Sequence, residues 1–170
     1  YKEWQKLIGE EGAKIYIAKA GLQIFGGRTS AGRFDLSVLH PFEDWQGKEL
    51  KDSNMTSIVL RLVYGKNSFL FTGDALAFQE REMILRGENL DSDVLKAGHH
   101  GSKTSSSEEF IEKVSPFLTV ISAGKNNSYG HPHQEVLARL EKYGINVLRT
   151  DIDEDIKILS DGKTYGVSNF

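Results

Sequence analysis

Apolar and polar positions change their period several times along the chain, and each change marks an element. Residues 1–11 place Trp4, Leu7 and Ile8 on one side of a helical projection, and Gly12 is positioned to stop that helix. Residues 15–18 and 34–39 have the character of strands, with a glycine-rich hairpin region (Gly26, Gly27 and Gly32) between them. A polar loop runs from Pro41 to Asn54. From Ser57 the pattern becomes regular, and residues 58–64 and 68–72 predict a hairpin turned by Gly65-Lys66-Asn67. Helical segments at 78–86, 108–114 and 134–143 then alternate with apolar strands at 93–97, 117–122 and 145–149. This alternation predicts an α/β fold in which helices cover a sheet. Residues 156–159 and 165–167, joined by Asp161-Gly162, predict a closing β-hairpin.

Composition adds little to the fold but narrows the chemistry. With 170 residues, 39% hydrophobic and 26% charged, the chain reads as one folded unit in water and has no disordered or membrane composition. It contains no cysteine, which excludes disulfides, thiolate zinc sites, iron–sulfur ligation and a cysteine nucleophile. Metal chemistry therefore falls to His, Asp, Glu or backbone oxygen, with five histidines to search. The formal charge of −3 arises wholly in the last twenty residues, where Asp151, Asp153, Glu154, Asp155 and Asp161 face Lys157 and Lys163. A neutral body argues against a basic stripe that holds nucleic acid by bulk electrostatics, and leaves room for a local phosphate site. No run reaches the ~18 apolar residues of a membrane span.

Three polar clusters occupy equivalent places, each following an apolar strand and preceding a helix. They are Thr72-Gly73-Asp74, Gly98-His99-His100-Gly101-Ser102 and Tyr129-Gly130-His131-Pro132-His133. Ligands of open α/β sheets bind beyond the carboxyl ends of the strands, so three such loops are expected to converge on one rim. Asp74 suits either an N-cap or a metal-ligating carboxylate. In an extended segment His99 and His100 would point to opposite sides, leaving one to face the rim and the other to pack behind it. His131 and His133 flank a proline that suits a helix start, where a histidine serves as a cap or beside a bound anion. His40 reads as structural. Ser105, Ser106 and Ser107, followed by Glu108 and Glu109, have the pattern of a capping box. No nucleophile elbow, Walker A loop or dinucleotide fingerprint is present.

Taken in order, Asn54-x-x-Ser57, Phe71-Thr72-Gly73-Asp74, Asp93-Val94-Leu95-Lys96-x-Gly98-His99-His100-Gly101-Ser102, Ser105-Ser106-Ser107, Asn127-x-Tyr129-Gly130-His131-Pro132-His133 and Arg149-Thr150-Asp151 resemble the metallo-β-lactamase superfamily. More narrowly, they resemble its ComEC-like hydrolase domains. The resemblance covers residues 50–155, and residues 1–45 look like the linking segment before that half. It implies an αββα sandwich with a dinuclear site for two divalent metal ions, zinc or manganese, that activates water. By position, Asp74 would be the bridging ligand and His100, or else His99, a ligand of this half. His131 and His133 would be catalytic, and Ser102, Lys103, Asn54 and Ser57 would lie toward substrate. The implied activity is that of a phosphodiesterase or nuclease in DNA uptake.

The principal metal motif of the family, H-x-H-x-D-H, is absent from this sequence. The resemblance therefore implies that the chain is the C-terminal part of one domain, incomplete and inactive alone. The implied partners are the half carrying H-x-H-x-D-H, DNA, and a membrane channel domain of the same parent. Such a parent would place the domain outside the inner membrane, whereas kinship with the soluble relatives would make it cytoplasmic or secreted. Two other readings stay open: a lactamase-like module that binds without catalysis, and a hydrolase of lactones, thioesters or cyclic nucleotides.

Overall fold

The computed structural model describes residues 2–30, 32–50 and 52–168. Its frame is a seven-stranded sheet whose strands lie side by side in chain order. They are β1 (Gln23–Thr29), β2 (Gly32–His40), β3 (Val59–Tyr64), β4 (Asn67–Phe71), β5 (Val94–Lys96), β6 (Leu118–Ile121) and β7 (Asn146–Arg149). The first four run antiparallel, and β4 to β7 run parallel. Parallel neighbours require crossovers. These are α2 (Ala77–Leu85), α3 (Glu108–Val114) and α4 (Gln134–Lys142). A second sheet holds only β8 (Lys157–Ser160) and β9 (Tyr165–Ser168), the expected closing hairpin.

The period-2 alternation of the strands sorts their side chains onto two faces. One face, with Leu70, Leu95, Ala97 and Ile121, packs against Met83 of α2, Phe110 and Ile111 of α3, and Val136 and Leu140 of α4. All three crossover helices therefore lie on that face. Each fully buried leucine in this layer contributes roughly 2 kcal/mol of transfer free energy. The opposite face presents Phe69, Val94 and Leu118, with Leu62, Val120 and Leu148 beside them, and is covered in part by Ile158 and Tyr165 of the hairpin. A cavity of about 540 Å³ remains open on it, with Phe34, Tyr64, Phe71, Lys96 and Ile156 on its walls.

The N-terminal quarter departs from expectation. Helix α1 (Lys2–Glu11) forms as expected, although Tyr1 lies outside the described residues, and it buries no side chain. Residues 15–18 form no strand, and Ile15, Tyr16 and Ile17 are exposed. The strand lies further on, at β1, in the stretch expected to be a hairpin region. β1 is an edge strand with every residue exposed, so its sequence carries no burial pattern to reveal it, and its pairing with β2 defines it. The residues resembling a linking segment thus supply two strands of the main sheet. A short helix α5 (Thr150–Asp153), also unforeseen, follows β7. No helix among the described residues is long and apolar enough to cross a membrane.

Candidate active site

The parallel strands β4, β5 and β6 end at the three polar loops, and the loops converge. Rings of His99 and His131 lie 5.7 Å apart between centroids, His100 and His131 6.4 Å, and His131 and His133 4.8 Å. Asp74 joins the group: its Oδ1 is 3.6 Å from Nε2 of His100, with both side chains about half exposed. Asp74, His99, His100, His131 and His133 therefore share one rim.

Local backbone geometry explains the convergence. His99 and His100 are not extended. Both have left-handed dihedrals (φ 46° and 56°) within a tight turn over Gly98–Gly101. The expectation that only one ring reaches the rim fails for that reason, since the turn brings both imidazoles alongside His131. Gly101 (φ 77°) sits against Pro132, where a Cβ would come within 2.6 Å of the proline Cβ. That contact clamps the two histidine loops together.

Each polar group has a definite partner. His100 Nδ1 lies 2.7 Å from the carbonyl oxygen of Ser122. A carbonyl only accepts, so Nδ1 carries a proton and donates it there, which turns Nε2 toward Asp74. His99 Nδ1 lies 3.3 Å from Thr104 Oγ1. Asp74 is not the helix cap: Leu76 occupies the N-cap of α2, and its N–H donates to Oε1 of Gln79. His133 is the N-cap residue of α4, but its side chain makes no capping bond, and its Nδ1 accepts from the N–H of Lys103. Burial lowers the pKa of His131, and the neighbouring His133, His99 and His100 lower it further.

The residues expected toward substrate divide. Lys103 is exposed beside His133. Ser102 is buried, with its hydroxyl on Thr104 Oγ1 at 3.0 Å. Asn54 and Ser57 brace the site through backbone oxygens: Asn54 O accepts from Gln79 Nε2, and Ser57 O lies 2.8 Å from Nδ1 of His40. His40 itself is buried under Phe42, as a structural histidine would be.

Two supporting residues were not singled out from sequence. Glu80, fully buried on α2, accepts the N–H groups of Ser106 (2.5 Å) and Ser107 (2.8 Å). The serine run is therefore capped from another helix, and Ser107 makes no capping bond of its own to α3. Lys96 lies half-buried on the open face of β5 and donates to Ala97 O at 3.0 Å. Its signal was a lysine inside an apolar strand.

A zinc or manganese centre needs three or four protein donors. Among the described residues no group of three or more His, Asp or Glu is placed to hold a metal ion. Asp74 and His100 are two facing donors of the right chemical type.

Residues 30–125 match the sequence profile of the metallo-beta-lactamase superfamily, and the chain belongs to that superfamily. It is 50% identical over 144 residues to ComE operon protein 3 of Bacillus subtilis, covering 84% of this chain and 17% of the relative. It is 43% identical over 119 residues to competence protein ComA of Neisseria gonorrhoeae, covering 69% and 17%. Identity to recombination protein 2 of Haemophilus influenzae is 40% over 105 residues, covering 62% and 13%. The chain spans less than a fifth of the length of these relatives.

Proposed function

We propose that the chain is the C-terminal part of a metal-dependent phosphodiesterase domain that cleaves DNA during uptake. Residues 50–155 form the half bearing its motifs, and residues 1–45 lead into it. The observation that carries this reading is the Asp74–His100 pair at 3.6 Å, oriented by the Ser122 carbonyl at the carboxyl edge of the parallel strands. Two facing donors, one of them an imidazole held in place by the Ser122 carbonyl, form part of a ligand set, and a segment outside this chain that carries H-x-H-x-D-H supplies the rest. The open apolar face of the sheet supports the same reading, because a second sheet laid on it would cover the exposed Phe71 and close the cavity walled by Phe34 and Tyr64 in a sandwich. The Neisseria relative is named a competence protein and the Haemophilus relative a recombination protein, which favours DNA over lactone, thioester or cyclic nucleotide.

Within this arrangement the chain's own residues position and shuttle protons. His131 is placed to accept a proton at the rim, and His133 and Lys103 line the approach. The bound ions would supply the electrophile and the activated water. The test uses the complete domain with linear single-stranded DNA and zinc or manganese. Cleavage is expected there, with Asp74→Ala reducing it by at least 100-fold. Undiminished cleavage in Asp74→Ala refutes the reading. Binding of DNA without cleavage by the unmutated domain would favour a non-catalytic module. Elemental analysis of the 170-residue chain alone is expected to find fewer than two tightly held ions.

A further inference from the structure

Beside the imidazole cluster lies a cavity of about 220 Å³ lined by His100, Ala123, Gly124, Asn127, Tyr129 and His131. Its outer wall is Tyr129, which is 77% exposed. The Tyr129 ring lies nearly parallel to that of His131, with centroids 5.7 Å apart and planes 21° apart. His131 is in turn nearly parallel to His100 (6.4 Å, 20°). The rings of Tyr129 and His100 are thus each nearly parallel to that of His131, in a series that runs from Asp74's partner outward to solvent.

The platform is built rather than fortuitous. Asn127 fixes the loop by donating from Nδ2 to the carbonyls of Gly124 (2.9 Å) and His131 (2.6 Å), while its Oδ1 accepts the N–H of His131 at 3.0 Å. With both amide hydrogens and one lone pair of Oδ1 engaged, the cavity offers chiefly ring faces and carbon. Ala123 and Gly124 keep the other wall low; a Cβ at Gly124 would meet only the Asn127 Cβ, at 3.9 Å. The volume is below the roughly 300 Å³ at which pockets for drug-sized ligands begin, which suits one planar ring system. Exposed aromatic rings beside a phosphate-handling site are how proteins hold unpaired bases, because every base has a π-face.

We propose that this cavity is a nucleobase subsite in which Tyr129 stacks on one base of a single DNA strand whose adjoining phosphate lies at the Asp74–His100 pair. The inference rests on the reading of the substrate as DNA and adds a requirement for an unpaired base, which a duplex keeps inside its own stack.

Every element of the platform belongs to this chain, so the 170-residue protein serves for the test. A single-stranded oligonucleotide carrying 2-aminopurine is titrated against it, and stacking quenches the fluorescence. Quenching is expected with the unmutated chain and with Tyr129→Phe. Tyr129→Ala is expected to lose it and to weaken binding by roughly 5- to 150-fold. An oligomer of abasic nucleotides should bind the unmutated chain and Tyr129→Ala alike. No quenching by the unmutated chain, quenching retained in Tyr129→Ala, or equal weakening on the abasic oligomer each overturns the subsite. Cleavage by the complete domain is scored separately. If cleavage survives Asp74→Ala while quenching still depends on Tyr129, the hydrolase reading fails and the subsite stands. Loss of cleavage in Asp74→Ala without quenching defeats the subsite alone.

Discussion

Nε2 of His100 faces Oδ1 of Asp74 across 3.6 Å, and on the far side of the ring Nδ1 donates to the carbonyl of Ser122, which fixes the ring's orientation. His99, one residue earlier, has Nδ1 beside the Thr104 hydroxyl. The two adjacent histidines are thereby given different work. In the complete domain, His100→Ala is expected to weaken manganese or zinc binding by at least ten-fold, whereas His99→Ala changes it little. Isothermal titration of each variant with the metal decides between them.

Much of this site could be read from the sequence because the chain repeats one device three times: an apolar strand, a glycine-bearing polar loop, then a helix. The period change from strand to helix locates Asp74, His99, His100, His131 and His133 at equivalent strand ends, and sheet topology does the rest. What could not be read depends on contacts between distant residues. The left-handed turn at His99 and His100 is set by Gly101 against Pro132, thirty-one residues away. The cap of α3 comes from Glu80 on another helix. β1 has no covered face, so no alternation marks it, while Ile15 to Ile17 have β-branched character without a neighbouring strand.

Glu80 holds the start of α3 through two backbone N–H groups in a buried setting. Glu80→Ala is expected to destabilise the chain by about 2–4 kcal/mol, measured by urea denaturation. Burial raises this carboxyl's pKa, against the lowering effect of the Ser107 and Ser106 hydrogen bonds and of Arg139. The native state therefore holds the proton more tightly than the unfolded chain does. That contribution to stability is present at low pH and is lost as pH rises from the ordinary glutamate value through the raised one. Glu80→Gln should remove this slope.

Gly101 has φ 77° and no room for a side chain beside Pro132. Gly101→Ala is expected to cost about 1–3 kcal/mol through strain and overpacking. It should also push the His131–His133 loop off the His99–His100 turn. Histidine ring resonances in NMR spectra would report the separation, and a spectrum unchanged from the parent would contradict the clamp.

Lys96 ends β5 on the open apolar face, beside Phe71 and Val120 in the neighbouring strands. Its ammonium donates to Ala97 O, and no carboxylate is bonded to it among the described residues. Burial lowers its pKa, and the charge of Asp74 partly restores it. A folded value below the unfolded one means that the native state binds this proton less tightly. The penalty is therefore fully present below the folded pKa and is relieved as pH rises toward the unfolded value. Lys96→Met replaces the ammonium with a side chain suited to the cavity, so the isolated chain should gain about 1 kcal/mol at neutral pH and lose its alkaline rise in stability. Urea denaturation at pH 7 and pH 10 measures both effects. In the complete domain the same substitution is expected to lower DNA cleavage, because it removes a cation whose charge interacts with Asp74. A variant both more stable and fully active would show that the charge serves neither.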